Sequence, residues 1–231
     1  MKRTAAAALA AIAMSLALSA APAMAQNWNA EIVETDQGYR VGDPEAPLQI
    51  IEFVSYSCSH CAEFEREAEA ELRYLYVHEG YAALEVRHLI RNPIDLAAAL
   101  LTECGEPAQF FDNHRAVLTT QDSWMETAQG LNEAQIQRWQ SGTISSRMRA
   151  IAADLGFDDL MESRGLSASQ VTACLNDEGR AQEIAEMSRA NASEYNVPGT
   201  PSFVLNGTLL DGVHAWQPLR QVLLAARQNS E

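Results

Sequence analysis

The chain has 231 residues, 31 of them acidic against 16 basic, for a net charge of −15. A surplus of that sign excludes a phosphate-binding surface for nucleic acid and docking on anionic lipid. A hydrophobic fraction of 47% is enough for a substantial core, in one domain with an insertion or in two small domains.

Met1-Lys2-Arg3-Thr4 precedes an apolar run from Ala5 to Ala21, and Ala23-Met24-Ala25 leads into Gln26. A basic start, an apolar stretch and an A-x-A site predict a cleaved secretory signal peptide over residues 1–25. The run has 17 residues, mostly Ala with Ser15 and Ser19, and is poor material for a membrane anchor. Cleavage leaves 206 residues, 14 basic against 31 acidic, for −17 and no lysine. Export predicts an oxidising compartment, and the bacterial style of the signal points to the periplasm.

Asn27–Asp43 is a short segment with one strand, near Glu31–Thr35 or Tyr39–Val41. Asp43-Pro44-Glu45-Ala46-Pro47 is a turn. Leu48–Val54 is apolar at nearly every position, as a strand buried on both faces is, with Gln49 and Glu52 the exceptions. A helix follows to about His78, with apolar positions at Cys61, Phe64, Ala68, Leu72 and Leu75. Glu63, Glu65, Glu67, Glu69 and Glu71 fall on its outer, solvated face. Ala83–Ile90 is the next strand, completing a βαβ unit with parallel strands. Asn92-Pro93 opens a helix holding Leu96, Leu100 and Leu101 and ending at Gly105.

The pattern stays helical to about Tyr195. Gly156 closes a helix with Met148, Ile151 and Leu155, and Ser167-Ala168-Ser169-Gln170 is a capping box before Val171 and Leu175. Gly179–Tyr195 is the last helix of this block. Ser202–Leu205 and Thr208–Leu210 flank Asn206-Gly207, a strong hairpin signal. Trp216–Arg227 is a closing amphipathic helix. The order is βαβ, a helical block, then ββα: an α/β fold with a central mixed sheet. Residues 26–92 and 190–231 form the α/β domain, and residues 93–189 an all-helical insertion.

Cys58-Ser59-His60-Cys61 lies at the junction of the first strong strand and its helix. A helix N-terminus favours a thiolate over a thiol, and His60 adds a second cation or donor. A C-x-x-C there is a redox signature; half a zinc site and a structural pair are the other readings. No second C-x-x-C or His pair with zinc spacing accompanies it. His78, His88, His114 and His214 show no ligand spacing and suit surface or capping roles. Trp124, Trp139 and Trp216 suit the core or a groove wall.

Two motifs carry a resemblance. Glu52-Phe53-Val54-Ser55-Tyr56-Ser57-Cys58-Ser59-His60-Cys61 is similar to the strand and active site of the DsbA family. Gly199-Thr200-Pro201-Ser202-Phe203-Val204 resembles that family's cis-proline loop. The resemblance covers Leu48–Arg227 and implies a thioredoxin-like fold with a helical insertion. It implies that Cys58 is the attacking sulfur and Cys61 the resolving thiol, with Ser59 and His60 as the redox dipeptide. Pro201 is then the cis residue, with Pro198 as the competing candidate, and the Thr200 backbone pairs with substrate. Glu52 matches a buried acid that handles the proton of Cys61. Arg87 is the stand-in for the lysine often found near it. Ser59 departs from the family's usual proline, and Thr200 from a valine. Cys104 and Cys174 remain in the insertion, and the resemblance to members with a second disulfide implies that they pair, with two buried free thiols as the alternative.

The resulting expectation is a periplasmic thiol–disulfide oxidoreductase, chiefly an oxidase of reduced or unfolded exported proteins, reoxidised by a quinone-linked membrane protein. No organic cofactor and no metal are required. A reductase or isomerase of the same fold is the near alternative, and a metal-binding or chaperone-like module the distant one. Only about 22 residues separate the cleavage site from Leu48, so a monomer is expected, which disfavours an isomerase.

Overall fold

The computed structural model describes residues 26–228, so the signal peptide expected over residues 1–25 lies outside the described residues. Among the described residues no helix is long and apolar enough to cross a membrane. Six strands form one mixed sheet in the order β1-β2-β4-β3-β5-β6. They are β1 (Ile32–Glu34), β2 (Tyr39–Gly42), β3 (Leu48–Val54), β4 (Ala82–His88), β5 (Ser202–Leu205) and β6 (Thr208–Leu209). β3 and β4 run parallel and every other pair is antiparallel. β3 lies inside the sheet, and its Leu48, Ile50, Phe53 and Val54 are buried, as its continuous apolar run requires.

The N-terminal segment contributes two strands rather than the one expected. Thr35 closes the hairpin: its hydroxyl accepts from the Gly38 amide at 3.0 Å and its amide donates to the Gly38 carbonyl at 2.8 Å. Gly38 is required there, because a Cβ would meet the Val86 carbonyl oxygen at 2.1 Å. At the other end of the sheet Asn206 (φ 49°) and Gly207 (φ 80°) turn β5 into β6, the left-handed pair that a two-residue hairpin needs.

Helix α1 (Ser59–Glu71) follows β3 and packs with α10 (Trp216–Gln228). The ring of Phe64 sits 4.7 Å from Phe203 and 6.3 Å from Trp216, joining these helices to β5. Eight α-helices lie between β4 and β5. They are α2 (Pro93–Thr102), α3 (Phe110–Thr119), α4 (Gln121–Gln129), α5 (Glu133–Gln140), α6 (Ile144–Leu155), α7 (Phe157–Ser163), α8 (Ala168–Asn176) and α9 (Glu178–Glu194). Their apolar faces continue the core of the sheet, with Phe110 of α3 stacked on Tyr39 of β2 at 4.0 Å. Cys104 after α2 and Cys174 in α8 form a disulfide. Closing a loop of that span stabilises by about 4 kcal/mol where chain entropy dominates.

The helix after Cys58 does not stay α-helical to His78. Leu72–Val77 is π-helical, and the His78 amide bonds the Arg73 carbonyl at 2.8 Å. A bond from i to i+5 widens the turn and moves the buried stripe by one residue. Tyr76 (2% exposed) therefore faces the core, and Leu75, expected inside, is 52% exposed. Two substitutions test this register by chemical denaturation. Leu75→Ser should change stability by less than about 0.5 kcal/mol. Tyr76→Ala should cost about 3 kcal/mol or more. The reverse ranking would restore the α-helical register.

Candidate redox site

β3 ends at Val54, and Ser55–Cys58 turn the chain into α1, with the Cys58 amide donating to the Ser55 carbonyl at 3.1 Å. Cys58 is the N-cap of α1 (φ −91°, ψ 118°), and its carbonyl accepts from the amides of Cys61 at 3.1 Å and Ala62 at 3.3 Å. Both sulfurs are free thiols; Cys58 is 7% exposed and Cys61 fully buried. Ser59 and His60 between them are exposed.

The loop before β5 lies against this turn. The Thr200–Pro201 peptide is cis, and Pro198 carries no cis bond. The Cys58 thiol donates to the Thr200 carbonyl at 3.1 Å. His214 holds the next carbonyl of the loop, with Nδ1 2.8 Å from the Pro201 oxygen. The Cys58 thiol is lowered from its ordinary 9.0 to about 5, chiefly by a hydrogen bond from Cys61, with burial opposing. The Thr200 side chain and the backbone amides of Cys61 and His60 act in the same lowering direction. The buried Thr200 hydroxyl has no other partner, so its proton is available to an ionised sulfur. His60 thus contributes through its backbone, at the helix N-terminus. Cys61 is pushed well above the ordinary thiol value by burial, then by Cys58 and Glu52.

Glu52 is 1% exposed and neither carboxylate oxygen has a hydrogen-bond partner. Burial, then the charge of Glu65, raises its pKa well above the carboxylate range. Arg87 does not accompany it. Glu52 pairs across the sheet with Val86 and Arg87 with Phe53, so alternation turns the two side chains to opposite faces. Arg87 instead bonds Glu85 at 2.7 Å and Asn191 at 3.2 Å, with Glu194 at 3.6 Å.

Three further expectations are corrected around Glu52. Glu65 is 9% exposed, not on the outer face of α1, and burial followed by Glu69 raises it to about 7. His88 and His114 are 5% and 2% exposed rather than at the surface. His88 Nε2 stands 3.2 Å from the buried Glu103 carboxylate. His114 is lowered to about 3, by burial and then by His88. Its tautomer follows from its neighbours. Thr102 donates to the Ala99 carbonyl and Tyr56 donates to Thr102, each at 3.0 Å. His114 Nδ1 must then donate to the Tyr56 oxygen, also at 3.0 Å. That leaves Nε2 as an acceptor, 3.8 Å from Glu65. Glu52, Glu65 and His114 line a cavity of about 40 Å³, large enough for water.

Several groups that hold the turn carry no signal in the sequence. Asp95, fully buried in the first turn of α2, accepts from the Ser57 amide at 2.8 Å, and from the Ser55 hydroxyl and Arg91 amide at 2.9 Å. Arg91 Nε donates to the Ser55 hydroxyl at 2.9 Å, and Asn92 Nδ2 to that of Ser57 at 2.7 Å. Gln121, at the start of α4, donates to the carbonyls of Tyr56 and Cys58. Asp95 stands in an Ile-Asp-Leu context that reads only as a helix start, and Gln121 stands in no pattern at all. Among the described residues no group of three or more His, Cys, Asp or Glu could hold a metal ion.

A thioredoxin family model matches residues 34–224. A crystal structure described as protein-disulfide isomerase from Novosphingobium aromaticivorans is 44% identical, with a TM-score of 0.77 over 80% of this chain and 95% of that one. The α-DsbA1 structure of Wolbachia pipientis shares the fold, with a TM-score of 0.61 at 21% identity over 83% of this chain and 94% of that one. A Rickettsia conorii protein provisionally named protein-disulfide oxidoreductase is 26% identical over 74% of this chain and 54% of its own length. The chain spans about half the length of the curated relatives it matches.

The two sulfurs should titrate apart. In the reduced protein, thiolate absorbance at 240 nm should rise with a midpoint near about 5, and Cys58→Ser should abolish that rise. The folded value lies below the unfolded one, so this group adds stability that is complete above about 9 and lost as pH falls through about 5. The reduced wild type should therefore gain stability against unfolding over that interval relative to Cys58→Ser. Equal pH dependence of the two would contradict the assignment.

Proposed function

The chain belongs to the thioredoxin family, and we propose that it is a thiol–disulfide oxidoreductase of exported proteins, working chiefly as an oxidase through Cys58 and Cys61. The observation that carries this reading is the asymmetry of the pair: Cys58 lowered to about 5 at a helix N-terminus, Cys61 raised by burial. A thiolate stabilised in the reduced enzyme makes the enzyme disulfide the stronger oxidant.

In the disulfide form a substrate thiolate attacks Cys58 Sγ and the Cys58–Cys61 bond breaks, with Cys61 leaving. Its high pKa calls for a proton, and the protonated Glu52 beneath it is the donor. The second substrate thiolate then attacks the mixed disulfide and releases Cys58 as a thiolate. Two electrons pass from the substrate dithiol to the enzyme, and a quinone-linked membrane protein returns the enzyme to its disulfide. The Thr200 carbonyl, free once Cys58 has ionised, accepts a backbone amide of the extended substrate. The Cys104–Cys174 disulfide fits an oxidising compartment, which supports a periplasmic location.

Isomerisation is the second reading, favoured by the description of the 44% identical Novosphingobium structure. Equilibration with glutathione separates the directions. A potential near about −120 mV supports the oxidase, and one near about −270 mV, typical of thioredoxin, sinks it in favour of a reductase. The lone Cys58 thiolate of Cys61→Ser should attack an oxidised two-cysteine peptide, release one peptide thiolate and accumulate as the mixed disulfide, since no resolving thiol remains. Glu52→Gln should slow formation of the mixed disulfide from the oxidised enzyme by on the order of 100-fold or more, without moving the Cys58 titration by more than a few tenths. An unchanged rate would remove Glu52 from the mechanism.

A further inference from the structure

One side chain from outside the reactive turn holds two of its carbonyl groups. Gln121, the first residue of α4 and 3% exposed, donates from Nε2 to Tyr56 O at 2.6 Å and to Cys58 O at 2.9 Å. The two acceptors fix the orientation of the amide, since the flipped rotamer would set its own oxygen against both carbonyls. The Cys58 carbonyl also accepts the first two amides of the α1 ladder, so Gln121 braces the point where the helix begins.

We propose that Gln121 is a positioning residue for Cys58, through which the inserted helices hold the carbonyl side of the reactive turn and keep its sulfur over the N-terminus of α1. This rests on the reading of Cys58 as the reactive thiol. Carbonyl oxygens carry partial negative charge, and the Tyr56 carbonyl left bare two residues before the sulfur opposes its ionisation. The Gln121 amide covers it and adds a third donor to the Cys58 carbonyl. It also fixes the Cys58 backbone, so that the amides of His60 and Cys61 stay aimed at the sulfur. Asp95 performs the opposite task, accepting from the Ser57 amide at 2.8 Å. Both of these grips come from the inserted helices.

Gln121→Met keeps the length and volume of the side chain and removes both donors. Gln121→Asn keeps the amide and shortens its reach by one methylene. In the full reduced protein, the 240 nm titration of Cys58 should move up by about one unit in Gln121→Met, a tenfold loss of thiolate below the midpoint. The equilibrium with glutathione should shift by up to about tenfold toward the enzyme disulfide, with Gln121→Asn intermediate in both measurements. If the variants keep the wild-type titration and equilibrium while both redox forms melt earlier by the same amount, Gln121 is packing alone and the proposal is wrong. Should Gln121→Met not fold, the titration of Gln121→Asn decides in the same way. A wild-type midpoint near 9 would instead refute the reading of Cys58, independently of either variant.

Discussion

Two sulfurs one helical turn apart meet opposite surroundings, and the remainder of the site serves to keep them different. Cys58 has the open amides of a helix start beside it, together with the Cys61 thiol and the Thr200 hydroxyl. Cys61 is fully buried, and the charge of Glu52, a carboxyl without a partner, opposes its ionisation. A charge is therefore welcome at one sulfur and costly at the other. Burial of Glu52 is costly in itself, since both its oxygens lack partners, and it persists at the centre of the sheet where an apolar residue would stabilise more.

The inserted helices do more than enlarge the core. Asp95 and Gln121 grip the amide side and the carbonyl side of the turn, and Tyr56 is tied through Thr102 and His114 to α2 and α3. The β strands supply the platform and the cis-proline loop. In this chain the geometry of the reactive turn is thus divided between two parts that are far apart in sequence.

That division explains what could be read without coordinates. The βαβ unit, the hairpin at Asn206-Gly207 and the C-x-x-C at a strand-to-helix junction are local patterns, and local patterns announce themselves by periodicity and turn chemistry. The contacts of Asp95 and Gln121 span 38 and 63 residues and leave no periodic trace. Leu75 and Tyr76 sit in an apolar run, Leu72-Arg73-Tyr74-Leu75-Tyr76-Val77, where either register buries plausible side chains; only the π turn selects Tyr76. Arg87 stands in for the lysine of similar proteins only by resemblance, and sheet alternation, which depends on the pairing register, sends it to the other face. His88 and His114 looked solvent-bound because a lone histidine has no pattern, whereas each is enclosed by aromatic rings and a carboxylate.

The sheet ends in very short strands, three residues in β1 and two in β6. An open edge of useful length invites any extended chain to add to it by backbone pairing. On the proposed function such chains are the substrates, and long edges would bind them wherever they landed. With both margins of the sheet cut to a few residues, promiscuous strand addition has little purchase there. Extended backbone is left with the stretch beside the cis-proline, the place where the proposed function sets a client cysteine against Cys58.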